Sequence, residues 1–506
     1  MFGNSTLMEY LTNFPQVEGH RPWPRFRLDL GAWRHLVAQL AVCDWQVLGL
    51  WGDSLDIHVA LRGEQTGAVA VASLTCADRS FPSLSQVRPG VIRMERAVSD
   101  LWGLVPAGLI DRRPWLDHGR WPLRGPLAGA PAPASDQPYP YAFLTAEGKG
   151  LHQIPVGPVH AGVIEPGHFR FHCQGETVVR LEERLGYTHK GVQSLMAGRS
   201  PAEAVRLAGR ISGDSTVAYA VAFSRAVEAA TGAEVPPRAH WLRGLLAEIE
   251  RIANHVFDFG AVCNDAAFAI MLAECGMLRE TVLRANQALF GHRLLMDRVV
   301  PGGMAVDLPS SGPAALRALV AEFRPRFEEL VRLYDETPSL LDRTTGTGVV
   351  AAALAHRFGA GGFVGRASSQ AVDSRRAPGY PPYDELDPPV SVHPEGDVHA
   401  RLMVRVDEIR TSLDLIERIL AHLPDGPVRA ELPAGGGEGL ALVESFRGEL
   451  LLWVRLAADG TVARCHARDP SWLHWPLLEA AIEGNIVADF PLCNKSFNCS
   501  YSGHDL

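Results

Sequence analysis

Several features that would assign this chain quickly are missing, and each absence narrows the field. Its eight cysteines (Cys43, Cys76, Cys173, Cys263, Cys275, Cys465, Cys493 and Cys499) include no C-x-x-C pair. That argues against an iron–sulfur cluster held by this chain alone, since clusters take grouped thiolates. With no secretory leader pattern, it also argues against a disulfide framework and for a reducing cytoplasm. The most apolar stretch, Ala261 to Leu278, is interrupted by Asn264, Asp265 and Glu274. A membrane-spanning helix needs about 20 nearly uninterrupted apolar residues, so a soluble chain is expected, with peripheral attachment to a membrane left open. A basic excess is lacking too. The formal net charge is -9, which disfavours nucleic acid as a partner. Gly435 to Gly439 lacks the Lys-Ser/Thr of a phosphate loop. Ser212, Asp214, Ser215 and His504 lack the G-x-S-x-G elbow of a hydrolase.

What is present is apolar material for two or three cores: 506 residues, 47% of them hydrophobic. Residues 1 to 124 read as a small α/β domain, with strand-like runs at Trp45 to Arg62 and Thr66 to Cys76. Gly125 to Pro138, rich in Pro, Ala and Gly, reads as a linker. From Tyr139 onward strands come first, and in His168 to His172 the polar side chains share one face, expected to meet solvent or a partner. Long helices follow over Pro201–Val227, Ala239–Leu295, Arg317–Tyr334 and Val404–His422. The fold class expected is α+β, with a mainly helical second domain over 139–506.

The most informative stretch is Arg210-Ile211-Ser212-Gly213-Asp214-Ser215, which the tail Ser496 to Asp505 answers. In frame, the first resembles the Arg-x-Cys-x-x-Cys motif of nickel–iron hydrogenase large subunits. The second resembles their Asp-Pro-Cys-x-x-Cys motif. The four ligand positions fall on Ser212, Ser215, Ser500 and Gly503. The order of motifs in residues 45 to 124 resembles the small hydrophilic subunit of respiratory complex I, as fused to formate hydrogenlyase large subunits. Gly157 to His160, Glu165 to Phe169, His189 to Gly191, Glu248 to His255, Val300 to Gly303, Gly365 to Ala367, Asp397 to Arg401 and Glu444 to Glu449 resemble the quinone-site subunit of complex I and its hydrogenase relatives. A nickel–iron centre needs soft anionic thiolates, whereas a serine hydroxyl is hard and stays protonated near neutral pH. No metal is therefore expected here.

The resemblance implies further roles. Asp265 falls on the aspartate that pairs with the headgroup-binding histidine of complex I. An ungapped match gives His160 the first of that loop's two histidines and Ile164 the second, so only a shifted loop would restore a His160–Asp265 dyad. Glu165 falls in the proton-relaying Glu-Gly-His segment of hydrogenases, with a surface glutamate as the alternative. The headgroup tyrosine of complex I falls on Gly213, for which Tyr187 or Tyr219 are candidate substitutes. Arg366 and Arg376 match arginines near the iron–sulfur subunit.

From the residues themselves, Glu248, Arg251, His255 and Asp258 form a polar stripe on one helix face. A solvated face is expected for Glu248 and Glu250, and burial for Asp265. The candidate site thus comprises His160, Glu165 and Asp265 as catalytic groups, around a cavity of Arg210, Ser212, Asp214, Ser215, Ser500 and Gly503. The function implied is a subunit of a complex I-like, energy-converting hydrogenase-related oxidoreductase complex on the cytoplasmic face of the inner membrane. It would take electrons from a partner iron–sulfur subunit and couple them to ion-translocating membrane subunits. A quinone reductase with a rearranged site, and a redox-inactive scaffold, are the alternatives; quinone is the candidate ligand.

Overall fold

The computed structural model describes residues 6–64, 66–133, 140–160 and 164–506. Helix α1 (Leu7–Leu11) precedes three short strands, β1 (Gln16–Val17), β2 (His20–Arg21) and β3 (Arg25–Leu28). Helix α2 (Leu30–Val42) starts where the Asp29 carboxylate accepts the Ala32 N–H at 2.8 Å. The expected runs become β4 (Trp45–Asp53), β5 (Asp56–Gly63) and β6 (Val69–Thr75). They lie in a sheet of order β1-β3-β6-β5-β4, in which only β3 and β6 run parallel. Strand β7 (Ser80–Pro82), helix α3 (Ile92–Trp102) and strand β8 (Val105–Ala107) follow. Within the stretch read as a linker, β9 (Leu123–Arg124) pairs with β10 (Ala132–Pro133); residues 134–139 lie outside the described residues.

An antiparallel sheet of β11 (Leu151–Val156), β12 (His168–Gln174) and β13 (Thr177–Arg184) opens the larger part. The polar face of β12 does not meet solvent: His168 and His172 are buried, and each bonds to β11 or its end, at the Gly157 carbonyl and Gln153. Then come α4 (Val192–Met196), α5 (Pro201–Ala208), α6 (Thr216–Thr231), α7 (Pro237–Asp265) and α8 (Ala269–Phe290). Two expected long helices are thus each split. The first breaks at Gly209 to Ser215, the motif itself. The second breaks at Ala266 to Phe268, where Ala267 takes a left-handed φ of 66°. A small hairpin, β14 (Val299–Val300) and β15 (Gly303–Met304), precedes α9 (Gly312–Asp335), α10 (Pro338–Thr344), α11 (Ala352–Phe358), α12 (Gly362–Arg366), α13 (Tyr383–Leu386) and α14 (Val398–His422). The chain closes with the meander β16 (Gly437–Ser445), β17 (Gly448–Leu456) and β18 (Val462–Arg468), then α15 (Ser471–Ala481), α16 (Phe490–Phe497) and α17 (Tyr501–Asp505).

The first 124 residues are stitched to the rest. β2 adds itself in parallel to β16, pairing His20 with Glu438 and Arg21 with Gly439. Trp51 and His58 on the first sheet pack against Trp453 of the second, with ring centroids 5.7 Å apart for both contacts. Helix α6 lies directly on β16, and Gly439 permits it: a Cβ there would sit 1.8 Å from the Ala226 carbonyl oxygen. Between the sheets, Glu449 receives Arg62, Arg468 (3.2 Å) and the Ser374 hydroxyl (2.6 Å), all buried. Removing one partner of such a buried group strands the others in a low-dielectric interior. Glu449→Ala is therefore expected to cost about 3–5 kcal/mol, read as a lower urea midpoint at unchanged slope. An unshifted midpoint would show that the two parts are not joined through this residue.

Candidate functional site

Three segments distant in sequence meet at one point. The turn Gly213–Ser215 precedes α6, the loop ending at Ser500 precedes α17, and Gly186–Gly191 lies between β13 and α4. Ser500 is the N-cap of α17 and accepts the Gly503 N–H at 2.9 Å. Its hydroxyl bonds that of Ser212, also at 2.9 Å, and Ser212 donates to Asp214 at 2.7 Å. With the last of these as donor, the chain of donation runs from the Gly503 amide through two hydroxyls into a carboxylate. The other end of α17 is held by Asp505, which accepts from the Gly186 and Thr188 amides and the Thr188 hydroxyl. Lys190 donates to the carbonyls of Arg210 and Ile211 at 3.0 and 2.8 Å.

Arg447 closes the junction. It meets Asp214 with both terminal nitrogens (2.9 and 2.5 Å), donates to Ser215 (3.1 Å) and gives its Nε–H to the Asn498 carbonyl (2.6 Å). Bidentate geometry of this kind is the strong form of a charge-assisted pair. Partial burial opposes charge on Asp214, but Arg447 and the Ser212 hydroxyl outweigh it and hold the carboxyl below its usual range. Beyond Ser500, buried Asp469 accepts the Tyr219 hydroxyl at 2.7 Å, and burial followed by that carboxylate pushes the phenol well up.

A buried polar ladder leads away from the junction along α7 and α14. Asp258 accepts from Asn498 Nδ2 (3.0 and 2.8 Å) and faces Arg405 at 3.5 Å. One turn on, Glu408 meets His255 (2.8 Å), Arg251 (3.5 Å) and Arg366 (2.5 Å). Glu248 ends the run, bound by Arg251 (3.2 Å), Arg375 (3.2 Å), the Tyr383 hydroxyl (2.5 Å) and the Ser412 hydroxyl (2.6 Å). The partners descend on α14 as they rise on α7, so the helices run antiparallel, and ten residues of helix span about 15 Å. The expected solvated face is thus wrong for Glu248 and Glu250, which are 0% and 8% exposed. Spacing on one helix cannot reveal a second helix that carries matching charges.

The remaining site residues divide. Ser212, Asp214, Ser215, Ser500 and Gly503 come together as expected. Arg210 does not join them, because Asp297 captures its guanidinium at the surface through two bonds of 2.7 and 2.8 Å. Arg366 is no partner-interface residue. It is 1% exposed and committed to Glu408 and Glu444, so no second chain can reach its charge. Arg376 does stand at the surface, paired with Asp387 at 3.0 Å.

His160 turns to the Gly167 carbonyl (2.9 Å), while Asp265 bonds Asn264 (3.3 Å) and feels Lys495. Each is engaged elsewhere, and the pair is not formed; residues 161–163 of the intervening loop lie outside the described residues. Asp265 is half-buried, and burial raises its carboxyl against the pull of Lys495. Glu165 is exposed, yet its carboxylate reaches the tail and accepts the Ser502 N–H at 3.2 Å. Arg447, Asn498 and Asp469 escaped notice as site residues. Arg447 lay inside a motif noted above, and Asp469 had no sequence signal.

These residues do not fit a nickel–iron centre. The hydroxyls at two ligand positions are bonded to each other, and a Cβ on Gly503 would fall 2.7 Å from Asp469 Oδ2. Burial pushes the Cys499 thiol well up, and Cys493 up to about 11.

The family described as respiratory-chain NADH dehydrogenase, 49 Kd subunit, matches residues 266–435 and 429–505. The nickel-dependent hydrogenase family matches residues 190–263. Hydrogenase-4 component G of Escherichia coli (strain K12) is 31% identical over 459 residues, covering 88% of this chain and 80% of the relative. Formate hydrogenlyase subunit 5 of the same organism is 33% identical over 442 residues, covering 84% and 77%. A chain from the structure of the membrane-bound sulfane sulfur reductase, an archaeal respiratory membrane complex, superposes with a TM-score of 0.67 at 27% identity. It covers 71% of this chain and 99% of that one.

Glu250 offers a test of the electrostatics around the junction. It is buried and accepts the Val217 and Ala218 amides (2.7 and 3.1 Å) at the start of α6. Burial outweighs those bonds and raises its carboxyl to about 8. A group whose folded-state pKa is raised favours the fold while protonated. That contribution is full below about pH 4.5 and lost as pH rises through about 8. Thermal unfolding of the full chain from pH 6 to 9 should show the loss, and Glu250→Gln should flatten it. An identical slope in the variant would show that Glu250 stays ionised.

Proposed function

The chain belongs to the family of nickel-dependent hydrogenase and 49-kDa NADH dehydrogenase subunits, and we propose how it serves in an oxidoreductase complex without the metal centre. It is a subunit of a membrane-associated, complex I-like and energy-converting hydrogenase-related complex. In the proposed role it receives electrons from a partner iron–sulfur subunit near the junction of Ser212, Asp214, Ser500 and Arg447. The charge change there is passed through the polar ladder toward ion-translocating membrane subunits. Among the described residues no helix is long and apolar enough to cross a membrane; in the proposed role attachment is peripheral, on the cytoplasmic side.

The observation that carries this reading is the junction itself. The family's two motifs meet in space with their frame intact, yet hydroxyls and a glycine stand where thiolates would be, with an Arg–Asp pair beside them. Hydrogen oxidation or evolution has no ligand set here, and its loss is part of the proposal. What the junction can do is hold and redistribute charge. Asp214 and Arg447 are a paired anion and cation, and the two serines connect Asp214 to the amide end of α17. An electron arriving nearby would weaken the anion and strengthen the cation, and the response would pass to Asn498 and Asp258, both bonded in series.

Quinone reduction is less well supported by the residues. Gly213 stands at the tyrosine position, Tyr219 is spent on Asp469, and Tyr187 lies at the surface against Arg184.

Purifying the full chain by an affinity tag from detergent-solubilised membranes of its host tests the assignment. It should bring down an iron–sulfur subunit and integral membrane subunits, with reducible iron–sulfur signals by electron paramagnetic resonance. Recovery of the chain alone, from the soluble fraction and without iron, would contradict the proposal.

A further inference from the structure

Where α3 of the first part meets β13 and α15, the fold leaves a cavity of about 350 Å³. Its wall is built from charge, and counting that charge leaves a remainder. Arg96 and Arg113 are matched by Asp111 and Glu182: Arg96 to Asp111 at 3.0 Å, Arg113 to Asp111 at 2.6 Å and to Glu182 as well. Tyr141 donates a further bond to Glu182 at 2.9 Å. At the rim Arg180 offsets Glu483. What remains is one arginine and two carboxylates. Arg93 gives one terminal nitrogen to Glu183 (3.2 Å) and the other to Glu479 (2.8 Å).

The two carboxylates are not equivalent. Glu479 keeps 24% of its side chain exposed on the cavity side. It also accepts the Glu183 backbone N–H at 2.8 Å. Glu183 is 1% exposed, and while one of its oxygens accepts from Arg93, its Oε1 is buried with no partner. An ionised carboxylate with a bare oxygen in that position is costly, and protonation removes the larger, charge part of that cost. Two carboxylates held on one guanidinium carry a net charge of -1, which one proton cancels. Burial raises both groups, Glu183 further through its neighbour Glu479.

The pair also sits beside the C-terminal junction. Trp115 lies over Arg93 at 4.7 Å and meets His504 of α17 edge-on at 5.2 Å. Cys499 and Tyr501 of the junction lie within electrostatic reach of Glu183.

We propose that Glu183 and Glu479, bridged by Arg93, form a site that holds one exchangeable proton between cavity water and the C-terminal junction. Loading transfers a proton from hydronium in the cavity to a carboxylate oxygen and leaves water; the site goes from -1 to neutral, and no electron moves. Glu479 faces the water and carries the exchange, and Glu183 holds the proton on its inner side. The use of that proton to compensate electron arrival at the junction rests on the function proposed above; the site does not.

The test is infrared difference spectroscopy on the full chain labelled with ¹³C-glutamate at neutral pH, wild type minus Glu183→Gln and wild type minus Glu479→Gln. Either neutral amide leaves Arg93 one carboxylate and removes the need for the proton. Both differences should therefore contain a protonated-carboxyl band that shifts in D₂O. If both contain only ionised-carboxylate bands, the site holds no proton and the proposal fails. Should Glu183→Gln not fold, Glu479→Gln, at the more exposed position of the two, decides alone. Unfolding adds an independent readout: a raised folded-state pKa makes wild type lose stability as pH rises, so the variants should gain on wild type toward alkaline pH. A constant difference would overturn the assignment. In the intact complex the variants should also change the pH profile of turnover. Band loss with an unchanged profile would keep the proton site and refute its coupling to electron transfer.

Discussion

Arg447 reaches Asp214 through both terminal nitrogens and, from the same rigid fork, gives its third donor to the Asn498 carbonyl. One side chain in the turn between β16 and β17 thereby ties the turn before α6 to the loop before α17. It adds to the bonds that Asp505, Ser500 and Asn498 make with Thr188, Ser212 and Asp258 in holding the last ten residues to the body of the protein. The family's four ligand positions hold hydroxyls and a glycine, and beside them Arg447 and Asp214 bring a paired cation and anion and no soft ligand.

The rest of the interior follows from the same constraint, since a buried charge is tolerated only when its partner is buried with it. Helix α7 places Glu248, Arg251, His255 and Asp258 on one face, and α14 returns Ser412, Glu408 and Arg405 in matching order. Burial alone would raise Glu408, but Arg366, His255 and Arg251 hold it well below the ordinary range. His255 shows the reverse balance: burial lowers it, although Glu408 pulls the other way. The ladder is therefore a row of buried, mutually paired groups with His255 among them. The Glu183–Glu479 pair, with its surplus carboxylate, is the complementary element, the proposed holder of a proton.

How much of this was legible beforehand varies with the physics involved. The strands Trp45–Asp53, Asp56–Gly63 and Val69–Thr75 were readable because β-branched and apolar runs were punctuated by turn residues. The meeting of Ser212 and Ser500 was readable because two motifs share a frame, and a frame implies proximity even when its chemistry is gone. Burial of charge was not readable. Glu248 and Arg366 look like surface residues in any single-helix projection, and only the docking of α14 and β16 makes them interior. Arg210 shows the converse, where an aspartate 87 residues away, in an irregular turn, draws a motif residue outward. His160 and Asp265 were linked by resemblance alone, and their actual partners, Gly167 and Asn264, are local ones that no periodicity signals.

The account stands or falls on whether the junction of Ser212, Ser215, Ser500 and Gly503 is a site of charge and not of metal. The direct measurement is nickel and iron content of the purified complex by elemental analysis, taken with hydrogen uptake using an artificial dye as acceptor. The structure predicts iron from partner clusters, no nickel above background and no hydrogen uptake. Stoichiometric nickel accompanied by hydrogen uptake would contradict it, and would mean that the Arg447–Asp214 pair and the serine hydroxyls open to admit a metal.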